Sequence, residues 1–392
     1  MIYLDNNSTT KVDPLVFGKM EPYLKDSYGN PGSLYSLGRE CSDAIKQARD
    51  QVAGFFNCDT EQVVFTSGGT EGNNMVLRGV VEHLVSQGIS VSDKEILISS
   101  VEHDSIRHTA SRLKDIFGIS CKEIDVISDG EVKLSSLEEK ISENTILVSV
   151  MAVNNETGTA NQVKEIAKIC HDHGVLFHTD CVQAASTHKI DVKEIDCDFA
   201  TISGHKIHGP KGIGAVYIKD SDIISPLING GNAQEFGLRG GTEPVHSIVG
   251  LGEACRILNS NFAGFATQVS DLKSVFYKTL EKHLSAMGLK DIMHVNGEPV
   301  NKPGKTLNLR FDRIDGQSLV LMLDSNGVCV SAGSACRSHA ADPSHVLMAM
   351  GLSEEDARSS IRISFSRFNT QEEVYEAAGV LASCVAALIT GV

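Results

Sequence analysis

The chain has 392 residues, of which 41% are hydrophobic and 22% are charged, and its formal net charge is −15 at pH 7. This length predicts about two domains, and the composition is ordinary for a folded enzyme. The acidic balance argues against direct binding to nucleic acid or to an anionic membrane surface.

The first residues, MIYLDNNS, contain no basic segment followed by an apolar run, so we expect no signal peptide. From about residue 60, short apolar runs alternate with longer helical patterns. The strand candidates are, in chain order, QVVFTS, EILISS, TILVSVMAV, VLFHTD and DFATIS. Such alternation predicts βαβ units, with a mainly parallel central sheet and helices on both faces.

The pattern changes after about residue 250. Helical segments such as QVSDLKSVFYKTLEKHL lead into strand-like TLNLRFD and, later, SIRISFS. This indicates a second, smaller α/β domain, which the N-terminal segment joins because it precedes any periodic pattern. We expect residues 13–252 to form the large domain, and residues 1–12 with 253–392 to form the small one.

The most apolar stretch, residues 377–392, is short for a membrane span. Thr370 and Glu373, just upstream, have the spacing of a helix capping box. We therefore expect a packed terminal helix and no membrane association.

Ten cysteines are scattered through the chain without a CxxC pair, which predicts reduced thiols and a cytoplasmic location. A disulfide between Cys329 and Cys336 is conceivable, but a reducing compartment disfavours it. The segments HKIH and HDH suggest metal ligands, yet the alternation of elements separates them to opposite edges of the sheet. We expect no metal site.

Five predicted strands end in unusual polar clusters. These clusters are TSGGTEGNN, VEHDS, NNETG, DCVQ and SGHKIHGPKG. Ligands bind at the carboxyl ends of strands in open α/β sheets, so five coincidences at this edge predict a single large site.

The first cluster, with Gly69 and Thr70, opens a helix after a strand. Glycines allow close backbone approach, and a helix N-terminus attracts an anion. The cluster matches neither GxxxxGK[ST] nor GxGxxG, so it fits a single phosphate better than a nucleotide. A glycine-rich turn without a ligand is the alternative.

Lys206 lies between His205 and His208, after the apolar strand DFATI. A lysine buried at such a strand end loses its proton more easily and becomes a nucleophilic amine suited to Schiff bases. The alternative is a surface lysine beside a turn, as Lys211 would be.

Asp180 ends the strand VLFHTD, where a carboxylate needs a partner. A pyridinium nitrogen is such a partner, and the ion pair keeps the ring an electron sink. His103 could stack on the ring and move protons, and Asn155 and Gln183 could bond its hydroxyl. Each residue alone could be a satisfied loop residue, but together with a phosphate cradle and an amine they describe a pyridoxal 5'-phosphate (PLP) site.

Cys336 lies in SAGSACRSHA, among small and polar residues that offer little packing. A buried cysteine would sit among larger apolar side chains, which is the alternative here. The composition predicts a loop with low contact density that presents a thiol. Arg337 and nearby histidines would favour the thiolate.

Taken in order, the motifs resemble those of the NifS/IscS-type cysteine desulfurases, in the class V aminotransferase group of fold-type I PLP enzymes. The resemblance covers residue 3 to about 368, nearly the whole chain. It rests on YLDNNSTT, GNPGS, TSGGTEGNN, VEHDS, VNNETG, HTDCVQ, SGHKIHGPKGIG, QEFGLRGGTEPV, SAGSACRS and SSIRISFSRF.

The resemblance implies a role for each site residue. Lys206 would bind the cofactor aldehyde, Asp180 would pair with the ring nitrogen, and His103 would stack above the ring. The remaining roles are ring-oxygen contacts for Asn155 and Gln183, phosphate contacts for Gly69, Thr70, Ser203 and His205, a phosphate contact in the partner subunit of a homodimer for Thr242, and substrate-carboxylate binding for Asn30 and Arg362.

The implied reaction takes sulfur from L-cysteine, releases L-alanine and leaves a persulfide on Cys336. An acceptor or scaffold protein would receive this sulfur for iron–sulfur cluster assembly, tRNA thiolation or DNA phosphorothioation. Alternatives are a selenocysteine lyase or aminotransferase on the same fold, and a non-catalytic sulfur-relay scaffold subunit. Tyr35, the longer GGNAQE segment and RSHAADPSH after Cys336 depart from the common family pattern.

Overall fold

The computed structural model describes residues 1–231, 234–297, 299–332 and 342–391. The strands in these ranges are β1 (Ile2–Tyr3), β2 (Val63–Thr66), β3 (Glu95–Ser99), β4 (Ser120–Ile124), β5 (Thr145–Ser149), β6 (Leu176–Asp180), β7 (Phe199–Ser203), β8 (Gly214–Ile218), β9 (Met293–Asn296), β10 (Thr306–Phe311), β11 (Val328–Cys329) and β12 (Ser360–Ser364).

The helices are α1 (Pro14–Lys25), α2 (Ser36–Phe56), α3 (Gly69–Ser86), α4 (Asp104–Phe117), α5 (Leu134–Lys140), α6 (Val163–Asp172), α7 (Val192–Ile195), α8 (Val245–Ser260), α9 (Phe262–Ala286), α10 (Gly316–Ser325), α11 (His345–Ala349), α12 (Glu354–Arg358) and α13 (Gln371–Thr390).

Seven strands form one sheet in the order β2-β8-β7-β6-β5-β3-β4. Strand β8 runs antiparallel to both neighbours, and the other pairings in the sheet are parallel. Leu97 belongs to the apolar core on one face, whereas Ile96 and Ile98 belong to the core on the other. Burial of both faces is typical of parallel sheets covered by helices, so the predicted α/β architecture is confirmed.

The predicted strand over TILVSVMAV is shorter than expected. Regular pairing ends at Ser149, the last residue of β5. The N–H groups of Val150 and Ala152 still bond to carbonyls of His178 and Asp180 on β6, at 3.1 and 2.9 Å. The chain thus follows its neighbour irregularly, which frees Met151 and Val153 to line a cavity.

A second region contains a three-stranded antiparallel sheet in the order β12-β10-β9. Its apolar face packs against α9 and α13 around Phe276, Leu309 and Phe365, all nearly inaccessible to solvent. The N-terminal strand β1 pairs in parallel with β11. Helix α8 packs on α2, and α9 packs on α13. The division into two domains, with its boundaries, stays a prediction.

Helix α13 begins with the predicted capping box. Glu373 N–H donates to Thr370 Oγ1 at 3.2 Å, and Thr370 N–H donates to Glu373 Oε2 at 3.1 Å. By length and composition, α13 is the one helix among the described residues that could cross a membrane. Its Val374, Leu381 and Val385 are buried in the second core, so the expected packed terminal helix is confirmed.

Candidate active site

A cavity of about 360 Å³ lies at the carboxyl edge of the seven-stranded sheet. Its walls come from the carboxyl ends of five strands of the sheet (β2, β3, β5, β6 and β7), from the N-terminal segment and from β12. Ten residues singled out from the sequence line it: Gly69, Thr70, His103, Asn155, Asp180, Gln183, Ser203, His205, Lys206 and Arg362. The structure therefore brings together residues that are up to 293 positions apart in the chain, from Gly69 to Arg362.

Two of the predicted site residues that the structure describes do not line this cavity, and a third cannot be placed. Asn30 is exposed and its Oδ1 accepts a hydrogen bond from Gly32 N at 2.9 Å. Thr242 is exposed on a separate surface. Cys336 lies outside the described residues.

Lys206 ends a 3₁₀ turn that follows β7 directly. The turn requires glycine at position 204, because an added Cβ would lie only 2.9 Å from the carbonyl oxygen of Pro210. Lys206 Nζ donates to the carbonyl oxygens of Asn7 and Ser8, the second at 3.0 Å. These neutral acceptors orient the amine into the cavity without supplying a carboxylate.

Asp180 is the last residue of β6 and is 6% exposed. Its Oδ2 accepts from Asn73 Nδ2 at 2.7 Å, and its Oδ1 accepts from Val182 N at 2.9 Å. Each carboxylate oxygen keeps a further lone pair. The fixed carboxylate can therefore still accept a bond from a cationic N–H in the cavity.

His103 is the N-cap of α4, and its Nδ1 accepts from Ser105 N at 3.1 Å. A neutral ring with Nδ1 as acceptor carries its proton on Nε2. Ser105 Oγ also lies 2.8 Å from His103 Nδ1 and accepts from Asn73 Nδ2 at 2.9 Å. One hydrogen-bonded chain thus links His103 to Asp180.

The predicted phosphate cradle is the turn between β2 and α3. Gly68 has φ +152°, and a Cβ on Gly69 would approach Val182 Cγ2 to 2.7 Å. Ser203 and His205 close the same end of the cavity. Burial, followed by the charge of Lys206, lowers the pKa of His205 to about 4, so the ring is neutral and can donate one hydrogen bond.

Gln183 has a buried side-chain oxygen whose hydrogen-bonding capacity is not satisfied by the described residues. Its Nε2 donates to the carbonyl of Asn7 at 3.0 Å, but its Oε1 has no hydrogen-bond partner among the described residues. Buried acceptors are rarely left alone. An unpaired acceptor on a cavity wall therefore indicates a hydroxyl or amine in the ligand.

Arg362, in the middle of β12, points to the cavity while Ile361 and Ile363 enter the second core. Its Nη2 donates to Asp5 Oδ1 at 2.9 Å and Ser8 Oγ at 2.7 Å, and its Nη1 donates to Asn155 O at 3.0 Å. Arg362 is only 2% exposed, so it is not a solvent-facing arginine.

Sequence reasoning missed several wall residues, among them Asn7, Asn73 and His345. Asn73 lies four residues after Gly69, one helical turn into α3. Residues four positions apart share a helix face, so the spacing could have placed Asn73 on the cavity side. Asn7 had none, since its role depends on a carbonyl that meets Lys206 across 199 positions. His345 carries a hydrogen bond between its Nε2 and the carbonyl of Glu102, at 3.0 Å.

Within the described residues, no group of three or more His, Cys, Asp or Glu side chains is arranged to hold a metal ion. The nine cysteines in those ranges are all free thiols.

Comparison with known proteins gives a consistent result. The class V aminotransferase family model matches residues 2–376. "Cysteine desulfurase IscS" of Ehrlichia chaffeensis is 38% identical over 388 residues, covering 98% of this chain and 91% of that protein.

Two solved structures extend the similarity to the fold. A "NifS-like protein" superposes with a TM-score of 0.87 at 33% identity, covering 98% of this chain and 99% of the other. "SspA in complex with cysteine" superposes with a TM-score of 0.77 at 29% identity, covering 94% and 100%. The chain therefore belongs to the class V aminotransferase family and, within it, to the cysteine desulfurases.

Proposed function

We propose that this chain is a PLP-dependent cysteine desulfurase, which converts L-cysteine to L-alanine and holds the sulfur as a persulfide on Cys336. The observation that carries the proposal is one cavity combining the amine of Lys206, the buried carboxylate of Asp180 and the guanidinium of Arg362. The name of the Ehrlichia relative and the cysteine in the SspA structure support the same substrate.

The cavity walls fit the cofactor on which this family depends. The free Gln183 Oε1 suits the ring hydroxyl, and the carboxylate of Asp180 suits a protonated ring nitrogen. At the other end, the absence of side chains at Gly68 and Gly69 leaves space for a phosphate at the N-terminus of α3. Thr70, Ser203 and His205 supply donors around that position.

When bound, PLP supplies an electron sink for the negative charge that develops on the substrate. Asp180 would keep the ring nitrogen protonated, and Asn73 holds that carboxylate in place. His103 would lie against the ring, oriented through Ser105. Asn155 and Gln183 would bond the ring oxygen.

Lys206 would hold the cofactor aldehyde through Nζ. As a free amine, the same Nζ would act as the base that removes the proton from Cα of the substrate. Arg362 would bind the substrate carboxylate, because its guanidinium is the fixed positive charge on the small-domain wall. Asn30 is proposed as a second contact of the substrate carboxylate.

The thiolate of Cys336 would attack the sulfur of the bound substrate. An S–S bond forms as the substrate Cβ–S bond breaks, and Cβ takes up a proton to give alanine. The sulfur is oxidised while Cβ is reduced, so the step needs no external oxidant. The support for Cys336 is its sequence context, since the residue lies outside the described ranges.

We also propose a cytoplasmic homodimer in which Thr242 contacts the phosphate of the partner subunit. Thr70 lines the cavity and is nevertheless exposed in the single chain, and Thr242 is exposed as well. A second subunit could therefore cover this side of the cavity. The nine free cysteines agree with a reducing compartment. The sulfur would pass to an acceptor protein, and we expect any nucleic acid to be reached through that protein.

The test of the cofactor begins with Lys206→Ala. Borohydride treatment of the wild type should fix the cofactor covalently to the peptide containing Lys206, and mass spectrometry should find no such adduct in the variant. Lys211→Ala, an exposed lysine in the same motif, is the control and should retain the adduct. A trapped adduct in Lys206→Ala would refute the assignment.

The test of the sulfur step is Cys336→Ala. The variant should keep the cofactor absorbance but form neither alanine nor sulfide from cysteine, whereas Cys329→Ala should turn over normally. Full turnover in Cys336→Ala would exclude the persulfide. Amino-group transfer to a keto acid would instead indicate an aminotransferase, and activity confined to selenocysteine would indicate a lyase.

A pull-down identifies the acceptor protein. The full chain, loaded with cysteine to form the persulfide, should retain a protein that Cys336→Ala releases. A scaffold or iron–sulfur protein would point to cluster assembly, and a nucleic-acid thiolation enzyme would point to tRNA or DNA. Absence of both the cofactor and turnover would favour a non-catalytic relay subunit.

A further inference from the structure

Glu71 is an acidic residue beside the turn that is proposed to hold a phosphate. It lies in the first turn of α3, and its Oε2 accepts from Ser67 N at 2.8 Å. Its side chain is only 10% exposed. The proposed phosphate binds at the same helix N-terminus, so Glu71 places one negative charge close to the position of another. An unbalanced carboxylate there would repel the phosphate.

Arg239 balances the charge of this carboxylate. Its Nε donates to Glu71 Oε1 at 3.0 Å, and its own side chain is 22% exposed. Burial would raise the pKa of Glu71, but hydrogen bonds from Arg239 and Ser67 outweigh burial and lower that pKa. Glu71 is therefore ionised at neutral pH, and its pair with Arg239 carries no net charge.

The segment that carries Arg239 is itself held in place by contacts with distant residues. Gly240 N donates to Ile228 O at 2.8 Å. Glu235, four residues before Arg239, accepts from the two Nη atoms of Arg49 at 2.6 and 2.9 Å. Arg239 therefore approaches the phosphate cradle from a fixed backbone.

The same anchor holds the strand that leads into the phosphate cradle. Strand β2 lies at one edge of the seven-stranded sheet. Glu235 Oε2 accepts from Phe65 N at 2.7 Å, and Arg49 Nη1 donates to Val63 O at 2.5 Å, so the pair satisfies backbone groups of this edge strand. Glu235 and Phe236 have φ of +42° and +56°, values that residues other than glycine adopt only where their surroundings require it.

We propose that Arg239 is a positioning residue for the phosphate cradle, which balances the charge of Glu71 so that the N-terminus of α3 can accept a phosphate dianion. Glu71 holds the backbone of the cradle through Ser67 N. Arg239 removes the repulsion that this carboxylate would otherwise exert on the phosphate. The inference deepens the proposed function and rests on it, because the phosphate is that of the proposed cofactor.

The test uses the full chain freed of cofactor by dialysis against hydroxylamine. PLP, and pyridoxal, which lacks the phosphate, are titrated separately into the chain and followed by absorbance. The ratio of the Kd for pyridoxal to the Kd for PLP measures the contribution of the phosphate alone. In Arg239→Gln this ratio should fall about tenfold, the size of one charge-assisted hydrogen bond, while the Kd for pyridoxal stays near the wild-type value.

Three further variants separate charge from packing. Arg239→Lys keeps the positive charge and should retain most of the ratio. The double variant Glu71→Gln with Arg239→Gln breaks the same ion pair but removes both charges, so it should recover the ratio that Arg239→Gln loses. The matched control is Arg256→Gln, which takes the arginine from Glu253, a buried glutamate on α8, and should leave the ratio unchanged.

An unchanged ratio in Arg239→Gln would overturn the proposal, as would an equal fall in Arg256→Gln. If Arg239→Gln does not fold, the double variant decides, because a ratio about tenfold below that of the wild type in the double variant would mean that the pair acts through packing. A wild-type chain that binds neither aldehyde would overturn the proposed function and this inference with it. A wild type that binds both, with the same ratio in Arg239→Gln, would overturn the inference alone.

Discussion

Strand β3 has a buried glutamate near each of its ends, and the two side chains differ in how they are satisfied. Glu95, at the amino end, accepts from Thr145 Oγ1 at 2.6 Å and Ser142 Oγ at 2.7 Å and pairs with Lys122. Glu102, just beyond the carboxyl end, uses only Oε1, which accepts from Ser99 Oγ and Met151 N at 2.6 and 2.7 Å. Its Oε2 has no partner among the described residues.

The pKa values of the two glutamates follow this difference. Burial alone would raise the pKa of Glu95, but hydrogen bonds from Lys122, Thr145 and Ser142 outweigh burial and lower it. At Glu102 burial dominates, and the pKa rises to about 8. The amino edge of the sheet satisfies its charges, whereas the carboxyl edge keeps polar groups with unused bonding capacity, as a binding site requires.

The largest effect is expected for Asp180→Asn at the carboxyl edge. Loss of the charge that is proposed to face the ring nitrogen should lower kcat for alanine formation by about 10²- to 10³-fold. The control is Asp198→Asn at the amino edge, where the carboxylate accepts from Phe177 N at 2.7 Å. Equal losses in both variants would contradict the functional contrast between the edges.

A smaller effect is expected for Arg362→Lys. A lysine cannot reproduce the planar set of bonds to Asp5, Ser8 and Asn155. KM for cysteine should rise about tenfold, a loss near 1.4 kcal/mol, with a lesser change in kcat. The control is Arg310→Lys. Arg310 lies on β10, the strand next to β12, and pairs with Asp356, so this variant should leave KM unchanged. A similar rise of KM in the control would mean that the loss in Arg362→Lys comes from a folding defect.

The smallest effect concerns stability and compares the two glutamates directly. Burial raises the pKa of Glu102 in the folded state to about 8. Its contribution to the free energy of unfolding is therefore fully present below the ordinary pKa near 4.5 and is lost as the pH rises through about 8. Glu102→Gln should therefore gain about 2 kcal/mol of unfolding free energy over the wild type between pH 5 and pH 8.

Glu95→Gln should change the free energy of unfolding in the opposite direction. Its lowered pKa contributes stability above about pH 4.5 that is lost in acid. The variant should lose about 1 kcal/mol at pH 7 and match the wild type more closely at pH 4. Denaturant unfolding at each pH measures both differences. If the two variants showed the same pH dependence, the proposed difference between the two glutamates would be wrong.

Much of the architecture could be predicted from the sequence because its signals are local. Apolar runs ending in polar clusters predicted the sheet and the edge that holds the cavity. Asp180 and Lys206 were identifiable because a charged side chain at the end of an apolar strand needs a partner.

The remaining features depend on contacts between distant segments. Asn7 meets Lys206 and Gln183 only after the N-terminal segment crosses the sheet edge. The burial of Lys305 has no local signal, since NKPGK resembles an exposed turn and residues distant in the chain, among them Phe265 and Phe365, surround it. The end of β5 at Ser149 follows from Glu102 Oε1, which accepts the N–H of Met151.

The N-terminal segment binds both halves of the molecule, through β1 beside β11 and through the carbonyls of Asn7 and Ser8 that receive the Lys206 ammonium. A protease that cut after Lys11 would therefore do more than shorten a tail. It would remove both acceptors of that amine and one strand of the small sheet in a single event. If the chain binds its cofactor as proposed, loss of the cofactor absorbance during limited digestion would then report the cut.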